Sequence, residues 1–258
     1  MSFEAKMSEV STLKKIVESI KDIVNVVNIE VNSTGFSFQA MDLSHVALVS
    51  LQLRKEGFQA YKSDQSIHLG IKLQNLHKIL KCADPTDIIT MSCDNDPQQL
   101  NFKFESQKQD KLSQFTLNLM IQDDEQLQIP STVYSSRISM PSSEFFRIVR
   151  ELSQLSEAVK ITTQKKSIGF QISSEVINGE MELRENNSDK MAEQIRIDVD
   201  ESVSNSFSLT FLNSFTKATS LCEGVNLYLS EGTPLVVDYQ IGDFGSLKYY
   251  LAPKLSED

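Results

Sequence analysis

The sequence is poor in glycine, proline and cysteine. Its 258 residues include only 9 glycines, 6 prolines and 3 cysteines, and 23% of them are charged. This composition argues against disorder, collagen and low complexity. No apolar run approaches the roughly 20 residues that span a bilayer, and the N-terminus lacks the basic start and apolar stretch of a signal peptide. With 40% hydrophobic residues, the chain can bury a sizeable core as one large domain or as two domains of about 130 residues.

Sites built from cysteine or histidine are also excluded. Cys82, Cys93 and Cys222 are far apart and form no CxxC pair, so they provide neither a disulfide framework nor a cysteine zinc site, and a reducing compartment is favoured. No HExxH, phosphate loop, GxGxxG or GxSxG motif occurs. We therefore expect no metal, no cofactor and no catalytic residues. An enzyme with a distributed site is the alternative from another functional class.

The net charge of −10 argues, taken alone, against nucleic acid as a partner, because a polyanion would be repelled. Only the distribution of the charge along the chain can decide this question.

The two halves of the chain repeat the same apolar pattern. A shift of 132 residues places Ile16 on Ile148 and Phe38 on Phe170, without a gap. This repeat predicts two similar domains, residues 1–119 and 134–258. Residues 120–133 between them are polar, contain a proline and are predicted to be a linker. Two of its aliphatic residues, Leu127 and Ile129, either pack back on a domain or form part of a binding surface.

Each half combines amphipathic helices with short alternating strands. Apolar spacing of three and four residues predicts a first helix ending near Ile20, with Ser11 as its N-cap, and further helices at 73–82, 142–152 and 211–220. Period-2 alternation and hairpin-length connections predict antiparallel sheets. The fold class is therefore α+β.

The polar faces of the four helices are basic although the chain is acidic. A solvated face explains any one helix, but four with the same bias suggest a positive stripe that binds the phosphates of duplex DNA without sequence preference. No aromatic residue is expected among these cations, which argues against stacking on single strands. The basic positions are Lys14, Lys15, Lys21, Lys78, Lys81, Arg147, Arg150 and Lys217.

Five segments carry a family resemblance, and they are spread over nearly the whole chain: 41–48 (MDLSHVAL), 78–83 (KILKCA), 125–130 (EQLQIP), 212–219 (LNSFTKAT) and 247–254 (LKYYLAPK). The sequence resembles eukaryotic proliferating cell nuclear antigen, the DNA sliding clamp family. The resemblance implies a homotrimer that closes head to tail into a six-domain ring, with the helices and their eight basic residues around duplex DNA in the hole. It also implies subunit contacts through edge strands, at Phe115, Leu117, Val176 and Met181.

The resemblance further implies a pocket for a short glutamine–aliphatic–aromatic motif, carried by DNA polymerases, clamp loaders, flap endonucleases and ligases. It implies ubiquitin or SUMO attachment at Lys165, and a location in the nucleus. One subunit of a heterotrimeric checkpoint-type clamp is the alternative. The matching pocket positions are Met41, His45, Val46, Leu48, Leu127, Ile129, Pro234, Tyr250, Leu251, Ala252 and Pro253.

Overall fold

The computed structural model describes residues 3–94, 97–120, 132–186 and 193–254. Within these ranges the chain is mostly antiparallel strand with four α-helices, as the α+β prediction requires. No helix in the described ranges is long and apolar enough to cross a membrane. The chain divides into two compact units.

The first unit contains the described residues within Met1–Leu43, Val49–Gln128 and Ile241–Leu247. Its strands form two sheets, one in the order β5-β1-β7-β8-β9 and one in the order β4-β3-β2-β6. Its elements are β1 (Phe3–Met7), α1 (Ser11–Ile20), β2 (Val26–Asn32), β3 (Gly35–Met41), β4 (Ala47–Arg54), β5 (Ala60–Ser63), β6 (Ile67–Lys72), α2 (Leu73–Lys81), β7 (Ile88–Cys93), β8 (Gln99–Glu105) and β9 (Leu112–Asn118).

The second unit contains the described residues within Ser44–Leu48, Ile129–Gln240 and Lys248–Asp258. Its sheets have the orders β14-β10-β16-β17-β18 and β13-β12-β11-β15. Its elements are β10 (Ser136–Pro141), α3 (Ser142–Leu152), β11 (Ala158–Gln164), β12 (Ser167–Ser173), β13 (Asn178–Arg184), β14 (Arg196–Val199), β15 (Ser204–Ser208), α4 (Leu209–Phe215) with a following 3-10 helix (Thr216–Leu221), β16 (Gly224–Leu229), β17 (Leu235–Ile241) and β18 (Gly245–Leu251).

The structure shows the duplication that the sequence pattern predicts. Val26–Asn32 and Ala158–Gln164 are equivalent strands 132 residues apart, as are Gly35–Met41 and Ser167–Ser173. The sheet orders of the two units also correspond strand for strand. Within the first unit, β1-α1-β2-β3-β4 and β6-α2-β7-β8-β9 repeat one β-α-β-β-β plan, with the short β5 between them. The same supersecondary unit therefore occurs four times in the chain.

Burial follows the periodicity of each element. In α1 the buried residues are Leu13, Ile16, Val17 and Ile20 on one face, with Ser19 beside them. Strand β8 buries every second residue, from Leu100 to Phe104. Each helix therefore presents its apolar stripe to the core and leaves its opposite face in solvent. This arrangement makes the polar helix faces available for function.

The two units close one sheet edge in the same way. The amide of Met120, just beyond β9, donates to the carbonyl of Gly70 in β6 at 2.9 Å. The amide of Lys254, just beyond β18, donates to the carbonyl of Ser206 in β15 at 2.8 Å. Both acceptors lie three residues before a helix. Each unit thus uses the chain that follows its last strand to cover part of an open edge, where unpaired backbone groups would invite association.

Some local predictions differ from the structure. Ser11 is not the N-cap of α1, because Val10 occupies that position without a side-chain cap and the Ser11 hydroxyl donates to Glu9 instead. The fourth helix begins at Leu209 rather than at residue 211, and it is α-helical only to Phe215. Period-2 alternation predicts strands that match β2–β4, β7–β9, β11–β13 and β16–β18, but it predicts none at β1, β5, β6, β10, β14 or β15. Most of the proposed linker lies outside the described residues, and the domain boundaries at 119 and 134 stay predictions.

Candidate nucleic-acid interface and partner surface

In the first unit, helices α1 and α2 are joined through their polar side chains. The Lys14 ammonium, on α1, donates to the carbonyl of Ala83 just beyond α2, at 2.5 Å. A cation at a helix C-terminus satisfies a free carbonyl and interacts favourably with the helix dipole. The ammonium group of Lys14 therefore helps to hold the two helices together.

A second junction between these helices is centred on Glu18. One of its carboxylate oxygens lies 3.3 Å from the Lys21 ammonium, and the other lies 2.9 Å from His77 Nε2. Lys21 also approaches Asp22 at 3.4 Å. Burial lowers the pKa of Lys21, but the hydrogen bond and charge of Glu18, aided by Asp22, outweigh burial and raise it overall. Lys21 therefore stays charged, with much of its charge offset by these two carboxylates.

The remaining cations of this helix pair are exposed. Lys15 on α1 and Lys78 and Lys81 on α2 point into solvent. Among the described residues, no carboxylate lies within ion-pair distance of any of the three. Their charge is thus available to an outside anion, which is what loose binding of phosphates requires.

In the second unit, Arg147 of α3 is held by two carboxylates of its own helix. Its guanidinium forms a fork with Glu144, at 2.6 and 3.1 Å, and lies 3.3 Å from Glu151. The hydrogen bond to Glu144 and its charge, with a further contribution from Glu151, raise the pKa of Arg147. Exposed ion pairs contribute little to stability, but this pair of carboxylates offsets the positive charge of Arg147.

Arg150, one turn further along α3, has a different environment. Its guanidinium carbon lies 5.3 Å from the centre of the Phe146 ring, a cation–π geometry that leaves its charge uncompensated. The prediction that no aromatic residue accompanies the helix cations is wrong at this position. Lys217 is exposed on the 3-10 helix that follows α4.

The predicted partner pocket is only partly described, because Leu127 and Ile129 lie outside the described residues. In the second unit, the amide of Ala252 donates to the carbonyl of Val46 at 3.0 Å, which holds 44–48 against the chain after β18. His45 is exposed and has a φ of 58°, a left-handed conformation uncommon outside glycine. The predicted pocket residues in this unit span the full range of exposure. Leu251 is buried, Leu48, Tyr250 and Pro253 are half-buried, and Pro234 is exposed. Met41 is half-buried in the first unit.

The second unit has a groove of 400 Å³ that the sequence did not predict. It crosses the outward face of the sheet, where Arg137 pairs with Tyr228 and Tyr228 with Val236 in register. The rings of Tyr134 and Tyr228 lie 5.6 Å apart. Its full lining is Thr132, Val133, Tyr134, Arg137, Tyr228, Val236, Lys248 and Tyr250.

The charges of this groove have their own partners. Arg137 pairs with Asp198 of β14 at 3.3 Å, and Lys248 lies 3.8 Å from Asp238, whose side chain is 2% exposed. Burial raises the pKa of Asp238, although Lys248 and Gln240 act in the opposite direction. Burial also raises the pKa of Tyr250 to about 12, with smaller contributions from Tyr134 and Asp238. Tyr250 is shared between this groove and the predicted partner pocket. Outward-facing positions in an alternating strand were the only sequence signal for the groove.

Three of the four predicted subunit contacts lie on edge strands, but the prediction is wrong for Val176, which lies in the bend before β13. Among the described strands, β9 pairs only with β8, and β13 only with β12. Phe115 and Met181 are half-buried at these edges and Leu117 is buried, whereas Val176 is 89% exposed. β9 itself is uncharged and follows Lys108, Asp110 and Lys111, which sum to +1, whereas β13 contains Glu180, Glu182 and Arg184, which sum to −1. The two edges are therefore opposite in charge and keep apolar groups partly open to solvent.

The structure places the predicted DNA-facing residues on the helices or directly after them, in different environments. Lys14, Lys21 and Arg147 have partners within the chain, while Lys15, Lys78, Lys81 and Arg150 present their charge to solvent. Lys165 is exposed in the turn between β11 and β12. The roles of all these residues stay predictions. In the described ranges, no group of three or more His, Cys, Asp or Glu residues is placed to hold a metal ion.

Comparison with known families agrees with this architecture. Residues 2–127 match the family model described as Proliferating cell nuclear antigen, N-terminal domain. Residues 128–254 match the model described as Proliferating cell nuclear antigen, C-terminal domain. The two matches follow one another without a gap and cover all but the chain ends. The chain belongs to the proliferating cell nuclear antigen family of DNA sliding clamps.

Proposed function

We propose that this protein is a homotrimeric clamp that encircles duplex DNA and acts as a processivity factor for a DNA polymerase. The observation that carries the proposal is the set of exposed cations Lys15, Lys78, Lys81 and Arg150 on a chain with a net charge of −10. An acidic protein would hold DNA weakly through such a localised set, without reading bases. Weak contact with high effective concentration is what a sliding tether needs.

The ring itself is proposed to form through β9 of one subunit and β13 of the next. Such a head-to-tail contact repeats until it closes. It would pair two open strand edges of opposite charge and bury Phe115 and Met181 further. An ATP-driven loader is proposed to open this ring around DNA.

We also propose that replication and repair proteins dock in the predicted partner pocket through the short motif. These partners are a DNA polymerase, a clamp loader, a flap endonuclease and a ligase, in the nucleus. The half-buried Tyr250 and Pro253 supply the kind of partly apolar surface that aromatic anchors of such motifs use. Ubiquitin or SUMO attachment at the exposed Lys165 belongs to the same proposal.

Replacing Tyr250 with alanine should weaken binding of a motif peptide by about 2 kcal/mol, or roughly 30-fold, because interface tyrosines commonly contribute that much. Fluorescence anisotropy of a labelled peptide measures the change. Tyr228→Ala is the matched control, since Tyr228 lines the neighbouring groove but is not in the predicted pocket. Equal reductions in both variants would remove the assignment of Tyr250 to the pocket.

The proposed processivity is tested by primer extension on a singly primed circular template. A motif-bearing polymerase and its loader are supplied with and without this protein. We expect products several times longer per binding event when the protein is present. Product lengths that do not change over a range of protein concentrations would contradict the proposed function.

A further inference from the structure

His77 lies at the junction of α1 and α2, within the face predicted to meet DNA. Its side chain is 13% exposed, and its Nε2 lies 2.9 Å from a carboxylate oxygen of Glu18, which is 58% exposed. Glu18 therefore lies on the solvent side of the imidazole. The other oxygen of Glu18 contacts Lys21 at 3.3 Å. One carboxylate thus couples a titratable ring to a lysine of the predicted DNA-facing set.

The charges around His77 come from both helices. Glu18, Lys21 and Asp22 belong to α1 and its C-terminal end, and Lys81 belongs to α2. Burial is the largest influence and lowers the pKa of His77. Lys21 and Lys81 lower it further, whereas Glu18 and Asp22 raise it, and the balance is a lowered value. In the free protein at pH 7, the imidazole is therefore neutral and its Nε2–H donates to Glu18.

We propose that His77 is a further residue of the DNA-binding face, and that binding of duplex DNA is coupled to uptake of a proton by His77. This inference rests on the proposed function, because it requires phosphates to approach α1 and α2. A phosphate beside Lys21 and Lys81 offsets the two positive charges that oppose protonation of His77. By thermodynamic reciprocity, protonation then favours binding to the same extent.

Protonation of His77 also changes the net charge of the face. While His77 is neutral, Glu18 and Asp22 outweigh the single positive charge of Lys21. With His77 protonated, the four side chains sum to zero, and Lys78 and Lys81 beside them leave the face positive. Because Glu18 already contacts His77 with one oxygen and Lys21 with the other, the imidazolium charge adds to that of Lys21 without displacing it. One proton would thus supply one positive charge to the face.

The test measures affinity of the full-length protein for a duplex oligonucleotide between pH 8 and pH 6. Each linked proton steepens the pH dependence by up to about tenfold per pH unit. We expect wild type to bind more tightly at low pH and His77→Gln to lose most of this dependence. His68→Gln is the matched control, since His68 is an exposed histidine on β6, and it should behave as wild type. A His77→Gln protein with the wild-type pH dependence would overturn the proposal.

A further measurement keeps the outcomes separate. Titration of the imidazole signals in wild-type protein by NMR needs no stable variant, and we expect the pKa of His77 to rise when duplex is added. A pKa that does not move, with duplex bound, overturns the inference but leaves the proposed function intact. If wild type binds no duplex at any pH, the proposed function fails first and the inference fails with it.

Discussion

Reversing the charge of Glu180 and Glu182 to lysine is expected to convert the proposed ring into monomers of 29.1 kDa. Both residues lie on the exposed positions of edge strand β13. In the proposed ring they face a β9 edge that is itself uncharged and follows Lys108, Asp110 and Lys111, which sum to +1. The reversal of Glu182 also removes its ion pair with Arg184 on β13. Like charges across a strand pair are destabilising, and here they would be repeated at every subunit contact. Sedimentation equilibrium distinguishes a particle of about three times the chain mass from a single chain.

A charge swap provides the decisive control for this experiment. Adding Lys108→Glu and Lys111→Glu to the same chain should restore the trimer, because the interface is heterologous and the attraction returns with opposite signs. Glu56→Lys with Glu231→Lys, on exposed residues away from both edges, should leave the mass unchanged. Trimers that survive the Glu180 and Glu182 reversal undiminished would place the subunit interface elsewhere.

The second large effect is expected on DNA. Lys78→Glu with Arg150→Glu reverses two cations that have no carboxylate partner among the described residues. In a trimer this changes six positions around the hole. We expect duplex affinity to fall by about 100-fold or more at low salt, where phosphate binding dominates the affinity. The salt dependence should become shallower by about 0.9 for each phosphate that the variant no longer neutralises. Electrophoretic or anisotropy titrations at several salt concentrations measure both quantities.

The structure also predicts which cations matter less. Arg147→Gln should cost less affinity than Arg150→Gln, because Glu144 and Glu151 already offset the charge of Arg147. The trimer should persist in all of these variants, and Lys62→Glu with Lys160→Glu, away from the helices, should bind DNA as wild type does. If Arg147→Gln reduced duplex affinity as much as Arg150→Gln does, the intrahelical ion pairs would not decide which residues bind DNA.

Much of the fold could be predicted from this sequence because the core repeats. Apolar residues at Ile16 and Ile148 recur in the same periodic context, so the 132-residue shift identified two units and placed their helices. The short strands were harder, since β5 and β14 have only four residues each and lie at sheet edges. Four residues with at most one buried position give too little alternation to distinguish a strand from a loop.

Only part of the electrostatics of the candidate site could be predicted from the sequence. In the pairs Glu18–Lys21 and Glu144–Arg147 the two residues are three positions apart. Spacing alone could therefore have predicted that these carboxylates offset part of the positive charge of the helix faces. A count of the basic residues alone does not show this offset. The contact between His77 and Glu18 joins two helices separated by many residues, and nothing in the sequence predicted it. The groove around Tyr228 likewise depends on the register of four strands.

Topological retention on DNA tests the central claim most directly. The proposed trimer is dissociated by mild denaturant, reassembled in the presence of circular duplex DNA, and washed in salt high enough to disrupt phosphate binding. A closed ring should remain on the circle after this wash and leave when one restriction cut makes the DNA linear. Protein that washes off circular DNA, or that stays equally on linear DNA, would contradict the account of this chain as a sliding clamp.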